Sequence, residues 1–163
     1  MKPITYHPIG IIRTQYTQTG QMPIQAALAE NSMMAVAELN DTFSEGLTDL
    51  DGFSHIILVY HFHKAAAPAL MQKPFLDDAK HGIFSIRSPH RPNPIGISIV
   101  ELVKVEGNNV YFNHADMLDE TPLLDIKPFV PVFDHRDASR CGWIEHALLN
   151  NDRLKGSETN ETN

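Results

Sequence analysis

The chain has 163 residues, of which 42% are apolar and 20% charged, a composition typical of one globular domain with its own core. Its net charge of −7 excludes a surface that attracts nucleic acid as a whole, so any RNA contact needs a local basic patch. The single cysteine, Cys141, excludes an internal disulfide, and the apolar run from Ile56 to Tyr60 is too short to cross a membrane. The N-terminus has no signal-peptide pattern, and we therefore expect a cytoplasmic protein.

The N-terminal part of the chain predicts two strands and a long loop between them. Apolar residues alternate from Ile9 to Arg13, which predicts the first strand. Thr14 to Pro23 is polar and contains Gly20, so we expect a loop long enough to form one wall of a site. Gln25 to Glu30 has the composition of a helix, whereas Met33 to Leu39 alternates in the manner of a strand.

The middle of the chain predicts a turn, a long strand and an excursion. Asn40 to Gly52 has the glycines of a turn and a short helix. Phe53 to His63 is almost continuously β-branched, aromatic or aliphatic, which predicts a strand that is buried on both faces or nearly so. Lys64 to Lys80 contains alanines and acids and is interpreted as a surface excursion, and Gly82 to Ile86 predicts a further strand.

The C-terminal part predicts a hairpin, an edge strand and a helix. Ile95 to Val105 and Val110 to Ala115 are the predicted hairpin strands, because the residues between them tolerate a positive φ. Val130 to Phe133 predicts an edge strand, since Pro131 cannot donate a hydrogen bond in a central one. Helical spacing of apolar residues predicts a helix from Trp143 to Leu149.

Together these elements predict an all-β fold, a small antiparallel β-barrel with short helices and a short C-terminal helix. We expect residues 1–150 to form the barrel domain and residues 151–163 to form a polar, disordered tail. The chain contains no Gly-x-Gly-x-x-Gly, which argues against a nucleotide site of the Rossmann type.

A proline-rich stretch from Ser85 to Ser98 is the most distinctive part of the sequence. Its three prolines fix the backbone and restrict the residues before them, which predicts a stiff loop between two strands. Such a loop holds Arg87 and Arg91 at low entropic cost, and arginine suits carboxylates and phosphates. From the residues alone, a plain surface turn whose arginines pair with acids is an equal alternative.

This stretch closely resembles the signature of the TsaA-like family, which includes the TrmO methyltransferases of tRNA. Three further blocks match in the same order, between about Tyr6 and about Phe133, although the family has glycine where this chain has Glu120. The four matching blocks are Gly10–Arg13, Phe53–His55, Arg87–Gly96 and Asp119–Pro128.

The resemblance implies a small antiparallel barrel that acts as an S-adenosylmethionine-dependent methyltransferase. Its implied substrate is N6-threonylcarbamoyladenosine in the tRNA anticodon loop, methylated on N6. Members of the family form homodimers with the cofactor near the subunit interface, so the resemblance implies a homodimer. It implies no metal. Longer bacterial members carry an added C-terminal domain that would help to hold tRNA.

The resemblance also implies a set of cofactor-binding residues. By their chemistry, Asp119 and Glu120 could serve the ribose or offer backbone groups to the adenine, and Arg87 could meet the carboxylate. Without the resemblance, an ordinary acidic turn from Asp119 to Pro122 is the favoured interpretation. The family has Pro-Arg-Gln where this chain has Pro23, Ile24 and Gln25. Ile24 therefore replaces the family's arginine, and any contact made by that arginine side chain is missing here. The set is Pro23, Ile24, Gln25, His63, Lys64, Arg87, Ile97, Leu118, Asp119, Glu120 and Thr121.

Catalytic residues are less well defined by the sequence. Arg91 and Asn93 are predicted to orient the modified base, because the rigid loop would project them beside the cofactor. No general base is evident, and the carbamoyl-bearing nitrogen is acidic enough that a strong one is unnecessary.

Two other groups of residues have a functional and a structural interpretation. His55, His61 and His63 lie at even spacing and could bind a metal on one strand face, but hydrogen-bonded histidines are the favoured interpretation. Trp143 could stack on a base, but a packing anchor for the C-terminal helix is favoured.

Three alternatives to the main prediction remain open at the level of sequence. The first is an S-adenosylmethionine-dependent methyltransferase of another substrate. The second is a non-catalytic module that binds S-adenosylmethionine as a sensor. The third is a small metal-dependent barrel enzyme that uses the three histidines.

Overall fold

A computed structural model describes residues 2–21 and 34–149 of the chain. Within these residues the strands are β1 (Gly10–Arg13), β2 (Ala35–Leu39), β3 (His55–His61), β4 (Met71–Gln72), β5 (His81–Gly82), β6 (Ile95–Glu106), β7 (Asn109–Asn113) and β8 (Thr121–Pro128). The α-helices are α1 (Pro131–Asp134) and α2 (Ile144–Leu149), and 3₁₀ turns cover Thr19–Gln21, Asp41–Leu47, Leu50–Gly52 and Ile83–Ser85. No helix in this part of the chain has the length and apolar character needed to span a membrane.

Six of these strands close into a barrel in the order β1-β2-β7-β6-β3-β8, and every neighbouring pair is antiparallel. The predicted all-β barrel with short helices is therefore confirmed. β4 and β5 form a separate two-stranded sheet in the segment between β3 and β6. The predicted disordered tail and the helical composition of Gln25 to Glu30 lie outside the described residues.

The barrel interior is filled by the inward-facing side chains of alternate strand positions. Ile56, Leu58 and Phe112 are completely buried there, as the two-residue period of a strand requires. The predicted near-complete burial of β3 is seen, with the inner residues fully buried and the alternate residues, such as Ile57 and Val59, half-buried. A closed barrel buries only its inner wall, so a continuous apolar strand leaves apolar side chains on the outside.

The hairpin prediction is confirmed, with β6 and β7 joined by Gly107 and Asn108. Gly107 has a φ of 59°, which glycine adopts without steric cost. The predicted strand at the start of the chain and the C-terminal helix are also confirmed.

Two predicted strands are wrong. Gly82 to Ile86 has one strand residue and then a 3₁₀ turn, because the short β4–β5 ladder ends at Gly82. Val130 to Phe133 opens helix α1, in which Pro131 occupies the first turn, where a missing N–H costs no hydrogen bond. Conversely, the sequence did not predict β8, which pairs with both β1 and β3 and closes the barrel.

The barrel has two ends that differ in their connections. At the upper mouth β1, β3 and β7 end and β2, β6 and β8 begin, which follows from the antiparallel registers. At the lower mouth the 3₁₀ turns Asp41–Leu47 and Leu50–Gly52 cross from β2 to β3. These turns insert Leu47 and Leu50 into the core cluster, and they close the lower mouth.

Candidate functional site

The upper mouth brings together predicted residues that lie far apart in sequence. His63 follows the end of β3, and Thr121 is the first residue of β8. The His63 ring nitrogen Nδ1 lies 3.4 Å from the Thr121 hydroxyl, across 58 positions of sequence. Thr121 is 2% exposed, so this contact is made at the inner edge of the mouth. The β3 end and the second motif block therefore form one surface.

The connection from β7 to β8 is fixed against the end of β1. The Asp119 N–H donates to the Tyr16 carbonyl at 2.8 Å, and the Thr14 N–H donates to the Asp119 carboxylate at 3.2 Å. The Thr14 hydroxyl also donates to the Met117 carbonyl at 3.0 Å. Leu118, between them, is buried. These bonds hold the Asp119 carboxylate at the rim in a defined position.

Arg13 is a site residue whose role the sequence did not indicate, although it lies in the first motif block. Its guanidinium donates to the Glu38 carboxylate at 3.1 Å and to the Glu120 carboxylate at 3.3 Å. The neighbouring strands β1 and β2 place Arg13 and Glu38 diagonally on one outer face, where such pairs meet. Arg13 thereby ties the β7–β8 connection to the barrel wall.

Glu120 has a φ of 64°, in the left-handed region that favours glycine. The glycine of the family signature at this position therefore has a conformational reason. In this chain a glutamate adopts this strained backbone conformation, and its carboxylate forms an ion pair with Arg13.

His63 carries the most distinctive polar atom of the mouth. Its Nε2 is buried and has no hydrogen-bond partner among the described residues. Burial, followed by the positive charges of Lys64 and His61, lowers the pKa of His63. Burial therefore favours the neutral imidazole. An orphaned ring nitrogen at the rim is a position where a ligand atom would complete the hydrogen bonding.

The proline-rich loop is non-helical, as predicted, and is anchored by its own polar groups. The His90 Nδ1 accepts a hydrogen bond from the Ala66 N–H at 3.0 Å, and Gln72 donates to the His90 carbonyl at 2.7 Å. The Arg91 guanidinium donates to the Ile86 carbonyl at 3.0 Å, so it is half-buried within the loop. Asn93 and Arg87 are exposed.

Gly96, the second residue of β6, is required by packing. A Cβ added at Gly96 would lie 2.9 Å from the Phe62 ring and closer still to the Tyr60 ring. The two rings pack edge to face, with their centroids 5.3 Å apart. Close approach of β6 to these aromatic side chains of β3 therefore explains the last residue of the signature.

The remaining predicted cofactor residues are placed differently. Lys64 is exposed at the upper mouth beside His63. Ile97 lies on the outer wall of β6 and is 64% exposed, so its side chain does not point into the barrel. The three residues Pro23, Ile24 and Gln25 lie outside the described residues.

A buried polar network under the mouth was missed by sequence reasoning. The Tyr60 and Ser98 hydroxyls are 2.9 Å apart, and the Ser98 hydroxyl donates to the Asp116 carboxylate. Burial, followed by the charge of Asp116, raises the pKa of Tyr60. Because Asp116 lies in the β7–β8 connection, this network supports that connection from inside the barrel.

For the three histidines and for Trp143, the structure supports the structural interpretation over the functional one. His55 lies at the start of β3 with its Nδ1 3.0 Å from the Ser54 hydroxyl, at the opposite mouth from His63. Within residues 2–21 and 34–149, no three His, Cys, Asp or Glu side chains are grouped to hold a metal ion. Trp143 stacks on His81 with centroids 4.5 Å apart and donates to the Ser85 carbonyl at 2.9 Å, which supports its role as a packing anchor.

A shallow groove of about 370 Å³ lies elsewhere, between Pro8–Ile11 and Glu38–Asn40. It has no cationic lining residue, and it lies on the outside of β1 and β2 toward the lower mouth. The convergence of ionisable groups makes the upper mouth the better candidate site.

Comparisons with known proteins point to one and the same family. A model of the tRNA-methyltransferase O N-terminal domain matches residues 11–135. A probable S-adenosyl-L-methionine-binding protein of Pyrococcus abyssi is 50% identical over 142 residues, which are 87% of this chain and 77% of that protein. A tRNA (adenine(37)-N6)-methyltransferase of Mus musculus is 38% identical over 133 residues, which are 78% of this chain but 31% of that protein.

Solved structures agree with these relatives. A crystal structure of TrmO superimposes with a TM-score of 0.74 at 35% identity, covering 86% of this chain and 64% of that one. TrmO from Pseudomonas aeruginosa superimposes with a TM-score of 0.73 at 34% identity, covering 87% and 63%. The chain therefore spans under two thirds of each TrmO chain and about a third of the mouse enzyme.

Proposed function

Because the chain belongs to the tRNA-methyltransferase O N-terminal domain family, we propose that it methylates N6 of N6-threonylcarbamoyladenosine in the tRNA anticodon loop, with S-adenosylmethionine as the donor. Relatives named as S-adenosyl-L-methionine-binding proteins and as tRNA (adenine(37)-N6)-methyltransferases support the cofactor and the reaction. The regions of these relatives that align with this chain cover most of it, including both main motif blocks.

The observation that carries the proposal is the convergence of these blocks at one mouth of the barrel. The proline-rich loop leads into β6, and the Asp119–Thr121 segment leads into β8. Both strands pair with β3, so the two blocks flank the same strand end. A ligand at the upper mouth would touch both.

Side chains at this mouth, together with Arg87 in the proline-rich loop that leads into it, suit S-adenosylmethionine. The carboxylates of Asp119 and Glu120 would accept hydrogen bonds from the ribose hydroxyls, and the exposed Arg87 would pair with the methionine carboxylate. The buried Nε2 of His63 lacks a hydrogen-bond partner among the described residues, so a polar ligand atom would satisfy it. When bound, the cofactor supplies an electrophilic methyl group on its sulfonium.

The contribution of the chain to the reaction is positional. Methyl transfer requires the acceptor nitrogen to lie in line with the donor, and a rigid rim sets that geometry at low entropic cost. The prolines and the Arg91 hydrogen bond to Ile86 make the loop such a rim. Arg91 and Asn93 are proposed to orient the modified base. The target lies in a single-stranded loop and reaches the mouth with modest unstacking.

The proposed enzyme is a homodimer that acts in the cytoplasm. Ile95, Ile97 and Ile99 on β6 are exposed, and the register places Val59 and Ile57 of β3 directly beside the last two. A contiguous apolar face of this kind marks an interface. A second copy seated on this face would bring the subunit boundary beside Ile97 and the cofactor.

The decisive experiment is digestion and mass analysis of tRNA after incubation with the protein and S-adenosylmethionine. The expected product is threonylcarbamoyladenosine with one added methyl group. Arg87→Ala should weaken cofactor binding in calorimetry by roughly 10- to 100-fold, as expected for a lost charged hydrogen bond. The matched variant Arg136→Ala, at an exposed arginine beyond α1, should bind as the wild type does.

Two other outcomes would change the assignment. Cofactor binding without any methyl gain on tRNA would favour a non-catalytic S-adenosylmethionine-binding module, or a methyltransferase of another acceptor. For the dimer, light scattering should report a monomer for Ile97→Glu and a dimer for Ile11→Glu, which alters an exposed isoleucine on the opposite wall. A monomeric wild type would contradict the dimer.

A further inference from the structure

The segment between β3 and β6, residues 62–94, carries a charge opposite to that of the chain as a whole. It contains five of the 13 lysines and arginines but only two of the 20 acidic residues. Both acids are engaged within the segment, Asp77 with His81 at 2.9 Å and Asp78 with Lys73 at 2.8 Å. We call this segment the arm. It is the local basic surface that RNA contact requires of an acidic protein.

The arm is a built structure at the upper mouth rather than a loose loop. It begins at the end of β3 and returns at the start of β6, beside the proposed cofactor site. The β4–β5 ladder pairs Met71 with Gly82. The Ser88 hydroxyl donates to the Gln72 side chain at 2.6 Å, which joins this ladder to the proline-rich loop.

The arm exposes two aromatic rings, Phe75 and Phe84, and Phe84 lies on a fixed turn. Phe84 is 79% exposed, whereas Ile83 beside it is 1% exposed and anchors the turn in the interior. The Ile83 N–H donates to the Leu70 carbonyl at 2.9 Å, and the Ser85 hydroxyl donates to the Gly82 carbonyl at 2.8 Å. Such a ring loses little entropy when a planar partner stacks on it.

Two exposed cations lie near this turn along the chain. Lys80 lies four residues before Phe84, so its Cα is within about 15 Å of that of Phe84. Trp143 is hydrogen-bonded to the Ser85 carbonyl at 2.9 Å, and the exposed Arg140 precedes Trp143 by three residues. Exposed aromatic rings combined with cations are what binds single-stranded nucleic acid.

We propose that the arm is the RNA-docking surface of this protein, with Phe84 as the stacking platform, Lys80 as a phosphate contact, and Arg140, outside the arm, as a second phosphate contact. The choice of RNA as the ligand rests on the proposed function. A second copy of the chain fits this surface less well, because lysine is depleted in protein interfaces and the apolar face of β3 and β6 already suits that role.

The test measures binding of an end-labelled anticodon stem-loop RNA by fluorescence anisotropy, without cofactor, over a range of salt concentrations. Phe84→Ala should weaken binding roughly 5- to 100-fold and leave the salt dependence unchanged, because stacking is not electrostatic. Lys80→Ala should reduce the slope of log affinity against log salt by about 0.7, the value for one phosphate contact on a single strand.

Matched controls lie at the other end of the barrel. Phe53→Ala removes an exposed aromatic ring beside the lower mouth, and Lys127→Ala removes an exposed lysine near the end of β8. Both should bind RNA as the wild type does. Both arm variants alter exposed side chains, and their retained fold is checked by circular dichroism.

The results separate this inference from the proposed function. If the wild type methylates tRNA but both arm variants bind RNA normally, the inference is overturned and the function stands. If the arm variants lose RNA affinity while no methyl transfer occurs, the inference stands and the function falls. A dimer that dissociates on Phe84→Ala with RNA affinity unchanged would place Phe84 in a subunit interface and overturn the inference. A wild type that binds no stem-loop RNA overturns the inference, and the methyl-transfer assay alone decides the function.

Discussion

The two mouths of the barrel are built from different kinds of side chain. The lower mouth is closed by two 3₁₀ turns whose Leu47 and Leu50 pack into the core. The upper mouth carries an orphaned ring nitrogen on His63 and the carboxylates of Asp119 and Glu120 at its rim. One end of the same barrel therefore stabilises the fold, whereas the other leaves polar groups available to a ligand.

This difference fits the roles proposed for the two mouths. Apolar closure gains free energy from burial and needs no partner. A binding mouth keeps polar atoms unsatisfied until a ligand arrives, which costs stability. Changes at the lower mouth should therefore act on unfolding, and changes at the upper mouth should act on binding as well.

The largest expected effect on stability is at the lower mouth. Leu50→Ala removes a buried side chain from the core cluster and should lower the free energy of unfolding by about 2–4 kcal/mol. Chemical denaturation measures this loss. S-adenosylmethionine affinity, measured where the variant is still folded, should match the wild type. A loss of affinity there would show that the two mouths are not independent.

Gly96→Ala tests the upper mouth in the same way. The added methyl group would overlap the Tyr60 and Phe62 rings, and overpacking should lower the free energy of unfolding by about 1–3 kcal/mol. Cofactor affinity should fall as well, because Phe62 precedes His63. Gly52→Ala at the lower mouth, where a Cβ meets no atom within 4 Å, should change stability by less than about 0.5 kcal/mol. Equal effects at both glycines would contradict this account.

Each mouth also has a strained residue, which allows a direct comparison. Asp49 and Glu120 have φ values of 66° and 64°. Asp49→Gly should stabilise the protein by about 0.5–1 kcal/mol through relief of strain. Glu120→Gly should gain less, since it also loses the Arg13 ion pair. Thermal unfolding of both variants at low and high salt measures the difference, and a larger gain at Glu120 would argue against a structural role for that pair.

The smallest expected effect is a pH dependence at the upper mouth. The pKa of His63 is lowered by burial, so the unfolded chain binds a proton at higher pH than the folded one. Stability should therefore fall as pH drops below the ordinary histidine pKa of about 6.5. Between about pH 7.5 and about pH 5.5, His63→Gln should lose less stability than the wild type. Parallel stability curves for the two proteins would exclude His63 as a contributor.

Much of the fold was accessible from local sequence patterns. β6 and β7 were predicted because alternation and a turn tolerant of positive φ are both local signals. Val130 to Phe133 was mistaken for a strand because its apolar residues suit either structure and Pro131 suits either an edge strand or a first helical turn. β8 was missed, since its acidic and basic residues hide an alternation that only pairing with β1 and β3 explains.

Local sequence patterns were sufficient to establish the barrel class, the stiff proline loop and the blocks that relate the chain to its family. Each of these depends on neighbouring residues and on backbone restrictions that are present in any context. Only the tertiary structure decided that Arg13 holds Glu120, that Gly96 lies under two aromatic rings, and that Ile97 faces outward. These contacts join residues on different strands, and their geometry exists only once strand register and barrel closure are set.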